Sequence, residues 1–309
     1  MTDLREKAVT SEYVTDQVLA AMSTAPDPRT REILTQLVRY AHDFVRAVRL
    51  TPGELLGAAQ YLRACGEICD EARHEFILLG DVLGITMAAE TLAAEAPDGA
   101  FENSVLGPFY RADSPLEPAG ADIARGADDG EPALVRGRVL DLDGQPIAGA
   151  ELDVWGTNHG GLYENVDPAQ PDFNLRGRFR TGEDGRFEFW TVKPVSYPIP
   201  DDGPVGELLR AAGRHNMRPG HLHVIVSADG YRTVVSELYT DDDPWLGDDA
   251  VFGVKPSLVV HYDRVEDPDA LAARGRETPF WELERDLVLV PGDRTGVGFS
   301  TARETQPAG

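Results

Sequence analysis

At 309 residues, with 42% apolar and 27% charged side chains, the chain has the composition of a soluble globular protein with ample core. A formal charge of −24 repels phosphate backbones and argues against nucleic acid as a partner. No apolar run approaches the length of a bilayer, and "MTDLREKAVTSEYV" has no apolar segment behind its charges, so the expectation is no membrane insertion and a cytoplasmic location.

The first hundred residues read as helix. In "REILTQLVRYAHDFVRAV", Ile33, Leu37, Ala41, Phe44 and Val48 recur at steps of three or four and form one apolar stripe. "TPGE" at 51–54 is a helix start, with Thr51 as cap, Pro52 in the first turn and Glu54 reaching back. Cys65 and Cys69 are four apart and share a helical face, which suits small buried hydrophobes in a reducing compartment. Two cysteines make neither a disulfide framework nor a zinc site. A further helix is expected over "EARHEFILLGDVLGITMAAETLAAEA", before Gly and Pro break the pattern near residue 100.

From about residue 132 the period changes to two. Val135 and Val139 alternate with Arg136 and Arg138, and Leu152 and Val154 with Glu151 and Asp153. Asp143-Gly144, Asp184-Gly185 and Asp229-Gly230 read as turns. Short strands with such turns and no helices between them predict a mainly β architecture, a sandwich or barrel, behind a helical N-terminal region. The tail "TARETQPAG" is expected to fray. At this level an enzyme and a ligand-binding sandwich module remain open.

The stretch "MRPGHLHVIV" narrows the choice. Alternation places His221 and His223 on one face of a strand and Leu222, Val224 and Val226 on the other. Two imidazoles on one face are a metal-chelating pair. Upstream, Tyr163 lies in the Gly-rich "GGLYENVD", and Tyr197 lies between prolines in "KPVSYPIPDDGP", a segment that should hold no regular structure. Two phenolates and two imidazoles could complete a four-ligand set. Phenolate is a hard anionic donor with a free pKa near 10, so it needs a highly charged cation, and Fe(III) suits the set better than zinc.

The blocks "LDVWGTNHGGLYENVD", "FRTGEDGRFEFWTVKPVSYPIPDDGPVGELL" and "RHNMRPGHLHVIVSADGYR" resemble the intradiol ring-cleaving dioxygenases, strongly over residues 100–262 and more loosely before them. The resemblance implies a mixed-topology β-sandwich catalytic domain, 101–309, preceded by a helical dimerisation region, 1–100. It implies one non-haem Fe(III) per chain on Tyr163, Tyr197, His221 and His223, and a homodimer, in some members with phospholipid between the helices. It further implies that a 1,2-dihydroxybenzene and O2 are the substrates, with the ring opened between the hydroxyls to a dicarboxylate. Tyr197 would leave the iron and take a substrate proton, while Tyr163 stays bound. Arg218 stands where the family carries its active-site arginine, suited to developing negative charge. Where catechol-type members carry a Gln after the histidine strand, this sequence has Glu237. A three-residue connection would set Glu237 opposite His223 and a two-residue one would set Ser236 there, and the sequence leaves both open.

The resemblance also implies pocket walls at Leu78, Asp81, Val105, Leu106, Gly107, Pro108 and Val251. Asp81, in "EFILLGD", resembles the acid carried by hydroxyquinol-cleaving members of the family. A carboxylate there would accept a hydrogen bond from the third hydroxyl of 1,2,4-trihydroxybenzene, giving 3-hydroxy-cis,cis-muconate or maleylacetate. The alternatives are catechol cleavage to cis,cis-muconate and a non-catalytic sandwich that binds an aromatic ligand.

Overall fold

Helix formation follows the sequence signals closely in the first part of the chain. The computed structural model describes residues 9–70, 73–93, 97–126 and 129–292, so the tail at 301–309 lies outside the described residues. Helix α1 (Ser11–Met22) is capped by Thr10, α2 (Pro28–Val48) by Asp27, and α3 spans Pro52–Glu67. At the start of α3, Glu54 accepts from the Thr51 amide at 2.7 Å and Thr51 Oγ1 accepts from the Glu54 amide at 3.3 Å, the reciprocal cap that "TPGE" predicts. The stripe on α2 is helical but open: Leu37 is 61% and Phe44 56% exposed. Compact units are Met1–Ala64 and Cys65–Gly309. Cys65 is buried, Cys69 is half-buried beyond the end of α3, and no disulfide joins them.

The second unit begins with a correction. In place of one helix after residue 71 there are two, α4 (Glu75–Val82) and α5 (Ile85–Ala93). The break is Gly84, whose φ of +69° ends α4 and whose amide bonds back to the Asp81 carbonyl at 2.9 Å. The strands follow as β1 (Pro132–Leu140), β2 (Glu151–Trp155), β3 (Arg176–Arg180), β4 (Arg186–Val192) and the short β5 (Tyr197–Pro198). After α6 (Pro204–Ala211) come β6 (Met217–Arg218), β7 (His221–Ser227), β8 (Val234–Thr240), β9 (Val259–Val260) and β10 (Asp263–Val265). Helix α7 (Pro268–Ala273) precedes β11 (Phe280–Glu284) and β12 (Leu287–Val288).

One sheet runs β10-β11-β1-β12 with β4 also on β1, and the other runs β3-β2-β7-β8-β9. Topology is mixed: β1 pairs in parallel with β11 and β12 and antiparallel with β4. The core lies between the sheets, where Val135, Val139 and Phe189 of one meet Leu152, Val154, Leu222 and Val224 of the other. Two of the Asp-Gly turns do not join strands that pair with each other. Asp143-Gly144 and Asp184-Gly185 carry the chain from one sheet to the other, because β1 pairs with β4 and β2 with β3. Only β7 and β8, around Asp229-Gly230, pair directly across their turn.

Candidate metal centre and substrate pocket

Strand β7 lies between β2 and β8, so its histidines sit on a central strand. His221 and His223 are each 2% exposed on the face away from the core. His221 Nδ1 is 2.7 Å from the Pro219 carbonyl oxygen; donation there puts the proton on Nδ1 and leaves the Nε2 lone pair free. His223 pairs in register with Trp155 of β2, and the two rings stack.

Tyr163 comes from the loop after β2. Tyr197 comes from β5, in a segment where prolines argued against regular structure. The ladder exists because it is only two residues long, with Tyr197 opposite Arg218 and Pro198 at its edge. Gly161 lets the two tyrosines close: a side chain there would begin 2.6 Å from Tyr197 Cβ.

The four donor atoms form a closed ring. Tyr163 Oη is 2.8 Å from both Tyr197 Oη and His223 Nε2, while His221 Nε2 is 3.2 Å from both Tyr197 Oη and His223 Nε2. Burial pushes the Tyr197 phenol up to about 12 and Tyr163 well above its ordinary value, and it drives His223 well below its own. Neutral imidazole is the form that binds metal, and the buried phenols ionise only against a strong positive charge. The donor set therefore fits a hard trivalent cation such as Fe(III).

Two histidines and Glu237 also lie close enough to hold a metal. The structure sets Glu237 opposite His223, the alternative that the sequence left open. Its oxygens are already engaged. Oε1 accepts from Arg218 Nη1 at 2.7 Å, and Oε2 accepts from Arg218 Nη2 at 3.0 Å, from Ser104 at 2.8 Å and from Tyr239. Burial alone would raise this carboxyl, but Arg218 and the two imidazoles outweigh it and hold it well below the usual range. Arg218 is buried and also donates to both oxygens of Asp249, at 3.0 and 3.1 Å. Its Nη1 faces His221 Nε2 at 3.2 Å, so one N–H looks toward the ring of donors.

Of the expected pocket walls, Leu78, Asp81, Gly107, Pro108 and Val251 line one cavity together with Tyr163, Tyr197, Arg218 and His223. Val105 and Leu106 do not line it; Val105 is buried in the apolar cluster behind it and Leu106 packs against that cluster. Phe109 and Ile199 do line it, and sequence reasoning missed them, as it missed Asp249. Phe109 directly follows Pro108 and Ile199 follows Tyr197 by two, so both were within reach of the motif positions. Asp249 had no signal beyond its place two residues before Val251.

Asp81 is 2% exposed, and its Oδ1 has no hydrogen-bond partner. Burial raises its carboxyl to about 6, partly offset by a hydrogen bond with Thr86 and by Arg218. Helix α4 is fixed at both ends. Glu75 Oε1 accepts from the Val205 amide of α6 at 3.0 Å, and Arg214 donates to the Val82 carbonyl at 2.5 Å and the Ala250 carbonyl at 2.7 Å. Leu78 and Asp81 are thereby held over the cavity on one face of a short, braced helix.

The family of the chain follows from comparison with known proteins. Residues 105–290 match the family model described as Dioxygenase, and residues 27–100 match Catechol dioxygenase N terminus. The chain is 48% identical over 276 residues to hydroxyquinol 1,2-dioxygenase of Rhizobium sp., covering 89% of this chain and 93% of that protein. It is 37% identical over 290 residues to an intradiol ring-cleavage dioxygenase of Aspergillus niger, covering 94% of this chain and 87% of that protein. The solved hydroxyquinol 1,2-dioxygenase of Pseudomonas putida superposes with a TM-score of 0.83 at 44% identity, covering 91% of this chain and 99% of that one. Mixed sandwich, helical N-terminal region and motif blocks thus have one common origin, and the chain belongs to the intradiol ring-cleavage dioxygenases.

Proposed function

We propose that the chain cleaves hydroxyquinol, 1,2,4-trihydroxybenzene, between its adjacent hydroxyls. The observation that carries the substrate is Asp81: a buried carboxylate oxygen without a donor, in the wall of the cavity that Tyr163, Tyr197 and His223 also line. A buried acceptor left unpaired costs about 1–3 kcal/mol, and the third hydroxyl of hydroxyquinol is the donor it lacks. Catechol has no hydroxyl to offer there.

In this reading Tyr163, Tyr197, His221 and His223 hold one non-haem Fe(III). When bound, the ferric ion would supply Lewis acidity that draws charge from the diol and readies its ring for reaction with O2. Tyr197 Oη receives a diol proton, which its high affinity for protons favours. The Nη1–H of Arg218 that faces the ring of donors would meet negative charge as it develops on the opening ring. Leu78, Phe109, Ile199 and Val251 pack the ring and keep water away. The products are 3-hydroxy-cis,cis-muconate and its tautomer maleylacetate.

The test is oxygen uptake with hydroxyquinol and catechol in parallel, corrected for autoxidation, for the wild type and Asp81→Ala. The reading expects hydroxyquinol to be preferred and Asp81→Ala to lose that preference. Equal losses on both diols would leave Asp81 without a selective role, and preference for catechol would replace the substrate.

The helical region up to about residue 100 is proposed as a dimerisation region, with the exposed stripe of Ile33, Leu37, Phe44 and Val48 covered by a second copy and phospholipid. Light scattering gives the mass of the assembly, and extraction with mass spectrometry detects the lipid. No helix among the described residues is long and apolar enough to cross a membrane. A cytoplasmic location is proposed, supported by two cysteines that form no disulfide.

A further inference from the structure

The charges packed behind the ring of donors do not cancel among themselves. Glu237 and Asp249 both close on Arg218, the only guanidinium that either touches among the described residues. Arg218 is 3%, Glu237 0% and Asp249 6% exposed. Two carboxylates against one guanidinium leave one negative charge away from water. Such an excess is strongly unfavourable unless a cation completes it. Gly253 makes room for the arrangement, since a side chain there would begin 2.5 Å from Tyr239 Oη and 2.9 Å from Arg218 Nη2.

Now add the ligands. As phenolates, Tyr163 and Tyr197 bring two further negative charges. Together with Glu237 and Asp249 they make four, and Arg218 removes one. A trivalent ion balances these five groups, whereas a divalent ion leaves them one charge negative. Asp81, buried in the wall of the cavity that Tyr163 and Tyr197 line, adds a further negative charge when ionised and favours the higher valence in the same direction. Glu237 is the nearer carboxylate: its Oε1 is 3.2 Å from His221 Nε2 and 3.4 Å from His223 Nδ1, which has no hydrogen bond of its own. At such range, in a water-poor site, one charge weighs heavily on the valence of a bound ion.

We infer that Glu237 is the charge-setting residue of the centre: without ligating the ion, its carboxylate adds the nearest buried negative charge behind the donors and so favours iron in the ferric state. The inference rests on the proposed ring of Tyr163, Tyr197, His221 and His223 as the metal site.

The experiment is an anaerobic redox titration of the full-length iron-loaded chain, followed by the tyrosinate-to-iron charge-transfer band. Wild type, Glu237→Gln, Glu237→Asp and Asp249→Asn are compared. Glu237→Gln should lower the preference for Fe(III) over Fe(II) by at least about tenfold, an upward shift of about 59 mV for a one-electron couple. Asp249→Asn should shift in the same direction, and Glu237→Asp, which keeps the charge, should shift by less than half as much. A Glu237→Gln midpoint equal to wild type overturns the inference, and so does a Glu237→Asp shift as large as that of Glu237→Gln, which would mark the effect as packing. If Glu237→Gln holds no iron, the ratio of Ga(III) to Zn(II) affinity is measured by competition. A ratio at least about tenfold below wild type supports the charge role, and equal weakening for both ions overturns it. Failure of the wild type to take up Fe(III) would overturn the four-donor ring as well. Unchanged potentials in variants with intact iron would overturn only the role of Glu237.

Discussion

Trp155 and His223 stand opposite each other on adjacent strands, with ring centroids 4.6 Å apart and 5° between their planes. The indole fixes the imidazole on one side, and Gly107 closes toward the ring, its missing Cβ falling 3.3 Å from His223 Cε1. Orientation of a ligand by its neighbours commonly decides metal affinity by 10–100-fold. Trp155→Ala should therefore weaken iron binding by roughly that factor while the sandwich stays folded. Iron per chain after dialysis against a graded chelator checks this, with circular dichroism as the folding control.

Arg218 cannot be replaced by lysine at small cost. A single ammonium cannot serve Glu237, Asp249 and the ring of donors at once. Arg218→Lys should retain iron and lose roughly 10²–10³ in kcat, the range for removal of one donor aimed at developing charge. Arg218→Ala also strands two buried carboxylates, and about 3–5 kcal/mol of stability should go with it. Single-turnover kinetics and denaturant melts separate the two effects.

Asp81 gives a pH signature with a definite sign. Burial raises its carboxyl from 3.8 to about 6, so between those values the folded chain holds more proton than the unfolded one. Its contribution to stability is greatest below pH 4, falls as pH rises through 6, and is then constant. A shift of about two units corresponds to about 3 kcal/mol, and Asp81→Asn should flatten that part of the stability profile. The KM for hydroxyquinol should fall as Asp81 ionises near pH 6, and the KM for catechol should not.

Gly253→Ala tests the packing around Arg218 without changing any charge. The added carbon would lie 2.5 Å from Tyr239 Oη and 3.0 Å from Glu237 Oε2. Overpacking of this kind costs about 1–3 kcal/mol. Lower thermal stability together with a lower kcat is the expected result, and the same substitution at exposed Gly57, in open space within α3, should leave kcat unchanged and stability no lower.

Local signals carried much of this molecule. The reciprocal cap at Thr51 and Glu54, the alternation that divides His221 and His223 from Leu222 and Val224, and the change of period near residue 132 all reflect neighbours in sequence. Long-range choices were less legible. Asp143-Gly144 looks like a hairpin turn from either side, yet its flanking strands bond to different partners, and only the assembled sheets decide that. Glu237 was ambiguous because one residue of register sends a side chain to the other face. Asp249 reaches Arg218 from a loop 31 residues away, a distance that no periodicity encodes.

The four donors do not share one kind of support. His221 and His223 stand on a strand hydrogen-bonded along both edges within a five-stranded sheet. Tyr197 hangs on a ladder of two residues, and Tyr163 on a loop. The centre thus has a stiff half and a compliant half. Under the proposed function the histidines would set where the ion sits, and the tyrosines would be the ligands with the less extended backbone support. Tyr197, which that proposal has taking a proton from the substrate, is on this half.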